Sequence, residues 1–513
     1  MKKLFCLLLI SLPGFSQTTT ALMTDRAAAR FLDQATWGPT PGSITALEQM
    51  GITNWLEMQF AAPASDLPDQ PLLDSAGKNN TNLAPVTAAL FQNAVNGPDQ
   101  LRQRVALALS EIWVVSQTTV PSAYAFPPYW RIFRDTAFRS YRDVLKAVTL
   151  SPAMGTYLNM ANNNKANAAK GTAANENYAR ELMQLFTLGL NELNPDGSPV
   201  LDSSKNPVPT YTQAQVTQVA KVLTGWTYPT APGATAKTNN PAYYFGKMIE
   251  VETEHDTTAK AIFNNLTIPA GQTAEQDLDT LFNDLMAQPT MAPFVSKQLI
   301  QHLTTSNPSP AYIERVSHVF TSTDGDMKSI VTAILSDPEA RAGDGAGASV
   351  NAGFGHLREP IVFLSSMLRG LNATVGASNT LNGYSEELGQ NLFVAPSVFS
   401  YFSPQNQIEG GLLGPEFAIY STQTASDRAN IVSTALYGTL DKTTTVSLSP
   451  FVNRAGNVSD MVNYIGYVFV HSGMSSALTQ AATAAANAQT TALTKAQAAL
   501  YVVLASNEYQ VVH

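Results

Sequence analysis

The sequence predicts an all-α protein, a globular array of many helices joined by long loops rich in proline and aromatic residues. Apolar residues recur at positions i, i+3, i+4 and i+7 through most of the chain, and alternating strand patterns are scarce. Hydrophobic residues make up 44% of the 513 residues, which is enough for a core. Charged residues make up only 13%, against about 25% in an ordinary domain. We therefore expect a surface that is poor in charge and rich in amides.

The first 16 residues have the pattern of a secretory signal peptide. Lys2 and Lys3 precede the apolar run 4–12, which is too short to span a membrane. Gly14 and Ser16 supply the small residues that a cleavage site needs. We expect cleavage near Ser16 and export to the periplasm or the medium.

Cysteine content and charge exclude several classes of protein. Cys6, the single cysteine, lies within the expected signal peptide. The exported chain would therefore have no disulfide, no catalytic thiol and no cysteine-ligated zinc. The 39 acidic and 30 basic residues give a net charge of −9, which excludes a basic nucleic-acid-binding surface. No later stretch is long and apolar enough to predict a membrane span.

A series of segments with helical periodicity follows along the chain. The second of them is interrupted by Gly51, which predicts a helix end at that point. The segments are 25–38, 43–63, 101–117, 176–190, 212–226, 278–288, 292–303, 326–340 and 359–371. Loops rich in proline, glycine or aromatic residues are expected at 117–130, 227–248 and 341–354. Residues 475–500 consist largely of small and amide side chains, which favours a weak amphipathic helix or a mobile hairpin.

Residues 175–190, NENYARELMQLFTLGL, hold the most informative group of ionisable side chains. Glu176 and Arg180 lie four residues apart, which places them side by side on a helix. Glu176 and Glu181 lie five apart and point about 140° away from each other, so they cannot flank one bond. Either carboxylate could be catalytic with a partner from elsewhere, or the group is an ion-pair network that locks helices together. The candidate substrate contacts on this helix are Asn177, Tyr178 and Arg180.

A second group of ionisable residues lies in residues 250–263. His255 and Asp256 are adjacent, and Lys260 follows Asp256 by four positions. Adjacent histidine and aspartate occur in metal hydrolases, but the chain has no HExxH motif or other close histidine spacing. The alternative is that Asp256 caps a helix and His255 bonds the backbone.

Aromatic and amide side chains surround glycine and proline in two further segments, 223–228 and 388–407. Trp226 and Gln390 are the candidate ligand contacts there, since aromatic faces and amides suit neutral, hydroxyl-rich ligands. The alternative is that the aromatic residues only pack helices together. The chain has no GxSxG elbow, P-loop or GxGxxG motif, and no cofactor is expected.

These blocks, taken in order, resemble a bacterial family known only as domain of unknown function 1800 (DUF1800). The specific pieces are NENYARELMQLFTLGL and YTQAQVTQVAKVLTGW, with RAAARFLDQATWGPT, EHDTTAKAI and LREPIVFLSSMLRGL in the expected places. The resemblance covers residues 25–405, and the terminal ASNEYQ is similar too. We expect a helical domain at 25–405 and a helical extension rich in Ala, Thr and Gln at 406–513, packed on the same domain.

The resemblance implies an exported, mostly helical protein, often encoded beside a second exported protein that is a possible partner. It implies no established reaction. The chain departs from the family pattern at residues 110–115, where relatives often carry an aromatic-histidine cluster. It departs again at residues 399–401, where relatives often have Gly-Trp. A site at these positions in relatives would be altered in this chain.

Three functions remain open from the sequence. The first is an exported hydrolase acting on a neutral glycan, with Glu181 and Asp256 as the carboxyl pair and Glu176 and His255 near them. The second is a non-catalytic protein that binds a polysaccharide or assembles with an exported partner at the cell surface. The third is a metal-dependent enzyme that uses His255 and Asp256.

Overall fold

The computed structural model describes residues 23–263, 266–345, 351, 353–471 and 473–513. The expected signal peptide lies outside the described residues. Helices hold 53% of the chain and the strands are few and short, so the prediction of an all-α array is confirmed. Among the described residues, no helix is both long enough and apolar enough to cross a membrane.

The helices of the N-terminal part begin at capping residues that the sequence supplies. Thr24 and Thr40 precede the first two helices and accept backbone N–H bonds from Ala27 and Ser43. Gly51, with φ 74°, breaks the second helix at the predicted point. The helices are α1 Asp25–Ala35, α2 Pro41–Ala61, α3 Ala84–Asn96, α4 Gln100–Ile112, α5 Phe126–Thr136, α6 Tyr141–Thr149 and α7 Pro152–Tyr157.

The middle of the chain contains the block NENYAREL and the helices that pack around it. The helices are α8 Asn177–Glu181, the π-helix Leu182–Thr187, α9 Gln213–Val222, α10 Ala274–Ala287, α11 Met291–Leu303, α12 Pro310–Ser322, α13 Met327–Ser336 and α14 Pro338–Arg341. A capping box between Thr212 and Gln215 begins α9.

The C-terminal part is helical as well. Its helices are α15 Pro360–Gly370, α16 Thr380–Glu387, α17 Thr422–Tyr437, α18 Ser449–Val452, α19 Val458–Phe469, α20 Ser476–Asn487, α21 Ala492–Leu504 and α22 Asn507–Gln510. Residues 475–500 form α20 and the first part of α21, which pack against each other. The low-complexity stretch is therefore a pair of helices with alanines at their contact.

Three short antiparallel sheets of two strands each tie loops to this helical body. The pairs are β1 Trp226–Thr227 with β2 Ile249–Glu250, β3 Lys260–Ala261 with β4 Thr267–Ile268, and β5 His356–Leu357 with β6 Val511–Val512. Short 3₁₀ helices lie at Ala123–Ala125, Ala168–Lys170, Glu252–Glu254, Glu409–Gly411 and Pro415–Ile419. The third sheet places the C-terminus beside the strand that leads into α15.

Buried charged groups join the two ends of the chain. Arg358 donates to both carboxylate oxygens of Asp33 at 2.6 and 2.8 Å, and its Nε donates to the Tyr509 carbonyl at 2.8 Å. His471 Nε2 lies 2.9 Å from the same Asp33 carboxylate. Burial opposes ionisation of Asp33, but the charges of Arg358 and His471 prevail and lower its pKa. The apolar core runs continuously from α1 to α22 around this cluster.

Candidate functional site

The block NENYAREL begins as an α-helix and changes to a π-helix at Leu182. The Leu188 N–H bonds the Met183 carbonyl at 2.9 Å, and Thr187 Oγ1 bonds the Leu182 carbonyl at 2.7 Å, which are both i to i−5 contacts. Such π-turns are rare and frequently mark functional sites. The change of pitch divides the block into a half that packs on α9 and a half that faces a cavity described below.

The first half of this block is a polar contact with α9. Glu176 accepts bonds from Thr217 at 2.7 Å, Gln213 at 2.8 Å and Arg180 at 3.2 Å. These bonds, that of Thr217 first, lower the pKa of Glu176. Asn177 is exposed and bonds Asn159 at 3.1 Å. Glu176 and Arg180 therefore form the interhelical network that the sequence left as an alternative.

Glu181 differs from its neighbours because it is half-buried and unpaired. Its carboxylate has no hydrogen bond or ion pair among the described residues, and burial raises its pKa against the opposing charge of Arg180. No hydrogen bond or ion pair between described residues connects Glu181 to Asp256. Tyr178 lies inside the protein, where its hydroxyl is 2.6 Å from Thr149 Oγ1.

The His255 group is a closed, buried network. His255 Nδ1 is 2.9 Å from the Thr224 carbonyl, and Nε2 is 2.9 Å from Asp277 Oδ2. Lys260 Nζ forms an ion pair with the same oxygen at 2.6 Å and donates to the Thr258 carbonyl at 2.9 Å, and the side chains of His255, Asp277 and Lys260 have no solvent exposure. Both ring nitrogens of His255 are thus engaged within the protein. In the described residues, no group of three or more metal-ligating side chains is arranged to hold an ion.

Asp256 and Trp226 also have local structural partners. Asp256 accepts bonds from the backbone and hydroxyl of Thr258 at 2.9 and 2.5 Å. Burial opposes ionisation of Asp256, yet these bonds lower its pKa. Trp226 is buried in β1, and its carbonyl accepts from the Asn162 N–H at 2.7 Å. A carboxylate held in its ionised form is poorly suited to donate a proton.

Gln390, which was chosen from the sequence for its amide, lies outside the two groups described above. Its side chain bonds a pair of carboxyl groups. Its Nε2 donates to Glu111 Oε1 at 3.1 Å and to Glu359 Oε2 at 2.5 Å. Its Oε1 accepts from the Ile361 N–H at 2.9 Å, at the start of α15. Gln390 therefore holds the end of α4 and the beginning of α15 together through these two carboxyl groups.

The carboxyl groups of Glu111 and Glu359 both accept from Gln390 Nε2, which brings Glu111 Oε1 and Glu359 Oε2 close together inside the protein. Burial raises the pKa of Glu111, although its hydrogen bond with Glu359 lowers it, and burial together with the charge and hydrogen bond of Glu111 raises the pKa of Glu359 well above its usual range. Arg104 Nη1 is 4.0 Å from Glu359, too far for a hydrogen bond. Two adjacent carboxylates cannot both ionise at low cost, which favours a protonated form of the pair.

Glu111 also lines a cavity of about 510 Å³. The wall consists of the end of α4, the π-helix with residues 189–197, one face of α11, residues 398–405 and the 3₁₀ helix Pro415–Ile419. Phe294, Phe399 and Phe402 give it aromatic surface, and Phe399 is 42% exposed at its edge. The size and the mixture of apolar wall with a few polar groups are typical of small-ligand sites.

Several polar atoms at this cavity have no hydrogen-bond partner among the described residues. They are Glu111 Oε2, Glu416 Oε2 and Gln298 Nε2, and both ring nitrogens of His356, which lies beside Glu416, also have no partner. His302 Nδ1 lies 3.2 Å from Glu111 Oε2, but the contact does not have the angles of a hydrogen bond. Burial lowers the pKa of His302. His356 Nδ1 is likewise 3.3 Å from Glu416 Oε1. Buried polar atoms without partners are costly, which points to a ligand or water in this space.

Ser400 lines both the large cavity and a second, smaller cavity, and Glu111 also lines both. Its φ of 62° is uncommon for a residue other than glycine, and such strained residues cluster at functional sites. The smaller cavity, about 40 Å³, is lined by Glu111, Tyr129 and Tyr401 and is large enough for water. Glu111 thus lines two cavities, although its side chain is buried.

A family model described as "Protein of unknown function (DUF1800)" matches residues 30–511. The chain belongs to the DUF1800 family. The match covers residues 30–405 of the resemblance quoted from the sequence and continues through residues 406–511. No curated protein and no solved structure matches the chain.

In this DUF1800 protein, the two stretches at which a departure from the family pattern is expected both contribute to the cavity. Glu111 and Ile112 come from the stretch 110–115, and Phe399 and Ser400 come from the stretch 399–401. Sequence reasoning missed Glu111, Glu359 and Glu416 because none of them lies near a second acidic residue in the sequence. The expected departure at 110–115 is the signal that could have drawn attention to Glu111.

Proposed function

We propose that this DUF1800 protein is an acid–base hydrolase that cleaves a glycan in the 510 Å³ cavity. The observation that carries the proposal is Glu111, a buried carboxyl group with one unpartnered oxygen at the cavity wall and a second carboxyl group behind it. A general acid must keep its proton near neutral pH, and burial, which raises the pKa of Glu111 despite its hydrogen bond with Glu359, favours this.

In this scheme, Glu111 and Glu359 share one proton before the reaction. Glu111 then donates this proton to the leaving-group oxygen. The bond between the anomeric carbon and that oxygen breaks, and water supplies the new hydroxyl. Glu416 is the second carboxylate, placed at the same cavity to take the proton of the attacking water. Glu359 does not fill that role because, unlike Glu111 and Glu416, it does not line the cavity.

The cavity wall supports a largely uncharged glycan as the substrate. Phe294, Phe399 and Phe402 can stack on sugar rings, and the amides of Gln184 and Gln298 can bond hydroxyl groups. The signal-like pattern of residues 1–16 supports export, which would bring the protein to extracellular or periplasmic polymers.

A second candidate is a non-catalytic polymer-binding protein that works with an exported partner. The ion-paired Glu176 and the closed His255 network favour it, since these groups of the sequence hypothesis serve packing. A cavity that binds sugars without cleaving them would have the same aromatic and amide wall. Glu181, unpaired and with a raised pKa, is the remaining alternative acid.

The test is a screen of the exported chain on uncharged oligosaccharides, with product detection by chromatography. Wild type is compared with Glu111→Gln and Glu416→Gln, and with Glu176→Gln as a control that keeps its hydrogen bonds at the surface. We expect Glu111→Gln to lower the rate at least about 100-fold, as removal of a general acid does, while the control keeps its rate. Loss of activity in Glu181→Gln with full activity in Glu111→Gln would overturn the assignment. Binding without any cleavage would favour the second candidate.

A further inference from the structure

Lys297 is a cation in the cavity that no other group neutralises. It lies on α11 and lines the wall, and it forms no hydrogen bond or ion pair with the described residues. Burial lowers its pKa, and no carboxylate contributes an opposing effect. A partly buried ammonium group without a partner is costly, so its environment favours an anionic ligand group.

A second donor lies beside Lys297. Gln298 Nε2 is buried and has no hydrogen-bond partner among the described residues. Lys297 and Gln298 lie on the face of α11 that Phe294 and Gln301 also present to the cavity, at helical spacing. The two side chains together offer an ammonium group and an amide N–H to one acceptor, which matches the needs of a carboxylate.

This donor pair is separate from the proton-transfer groups. Lys297 and His302 lie five residues apart on α11, which is about 7.5 Å along the helix axis. Lys297 and Glu111 line the same cavity from two different helices, α11 and α4.

We propose that Lys297 and Gln298 form a subsite for the carboxylate of an acidic sugar, a uronic acid unit of the glycan bound in the cavity. The inference rests on the proposed function and specifies its substrate class. A single carboxylate fits better than a polyanion, because the chain carries a net charge of −9 and repels dense negative charge. The remaining units of the glycan are neutral and face the aromatic wall.

The test is a binding measurement by calorimetry that needs no turnover. The probes are an oligosaccharide with one uronic acid unit and its carboxyl-reduced neutral counterpart. The proteins are wild type, Lys297→Met, Lys297→Arg and, as a control, Lys442→Met, which removes an exposed lysine outside the cavity. Wild type is expected to prefer the acidic probe by roughly tenfold or more, the gain expected of a charge-assisted hydrogen bond.

Lys297→Met is expected to lose this preference, Lys297→Arg to keep most of it, and Lys442→Met to keep all of it. Equal affinity of wild type for both probes, or a preference that persists in Lys297→Met, would overturn the inference. Equal loss in Lys297→Arg and Lys297→Met would also overturn it, because a subsite for charge must accept either cation. Binding with the expected preference but no cleavage would refute the hydrolase and leave the subsite standing. Cleavage of the glycan without any preference for the acidic probe would refute the subsite and leave the hydrolase standing.

Discussion

Replacement of Glu359 by glutamine tests the shared proton directly through stability. The amide is nearly the size of the carboxyl group, and its carbonyl can accept from Gln390 Nε2, which now lies 2.5 Å from Glu359 Oε2. Its NH₂ can donate to Glu111 as a protonated carboxyl group does. The change therefore removes the titration of Glu359 while it keeps the hydrogen bonds around it.

The magnitude follows from proton linkage. The folded protein raises the pKa of Glu359, so the stabilisation from its protonated form is complete below the unfolded pKa of about 4.3 and is lost as pH rises. One retained proton gives a slope of about 1.4 kcal/mol per pH unit. As long as the pair keeps this proton, each unit of pH increase costs wild type this amount of unfolding free energy relative to Glu359→Gln.

The assay is urea unfolding of both proteins at one-unit pH steps, with Glu57→Gln as the control for a surface change. Glu57 is exposed and pairs only with Lys328 at 3.2 Å among the described residues. We expect the wild-type and Glu359→Gln curves to diverge as pH rises, and the wild-type and Glu57→Gln curves to stay parallel. If the unfolding free energies of all three proteins change in parallel with pH, the claim that Glu111 and Glu359 share a proton is refuted.

Two further predictions concern the fold. Arg358→Met leaves Asp33 buried without its bidentate partner and should cost about 3–5 kcal/mol of unfolding free energy, whereas Arg142→Met, at a surface pair, should cost about 1 kcal/mol or less. Denaturant titration checks both, and equal costs would contradict the role of the buried cluster. Gly225→Ala should cost about 1–3 kcal/mol, because φ is +83° and a Cβ would lie 2.9 Å from that of His255. A variant as stable as wild type in thermal unfolding would contradict this.

The sequence predicts the helices well because their order, their periodicity and their caps are local properties. The break at Gly51 and the capping box at Thr212 follow from residue chemistry alone. The π-helix after Glu181 does not, because nothing in the apolar spacing distinguishes it from a continued α-helix. That change of pitch turns the second half of the block toward the cavity.

The candidate site was only partly predictable for the same reason. Gln390 and the block around Phe399 were selected from composition, and both adjoin the carboxyl pair or the cavity. Glu111 and Glu359 meet only because α4 and α15 pack together, a long-range contact that no local pattern encodes. Glu176, Asp256 and His255, which attracted attention in the sequence, have partners close at hand, whereas Glu111 and Glu359, each far from other acids in the sequence, form the buried pair.

The pH profile of kcat/KM on a cleaved oligosaccharide tests the central claim most directly, with wild type and Glu359→Gln compared. The alkaline limb of such a profile reports the pKa of the catalytic acid in the free enzyme. We predict that the limb moves to lower pH in Glu359→Gln, because the like charge that makes the last proton of the pair hard to lose is then absent. An alkaline limb that stays in place in Glu359→Gln, or that moves instead in Glu181→Gln, would contradict the account.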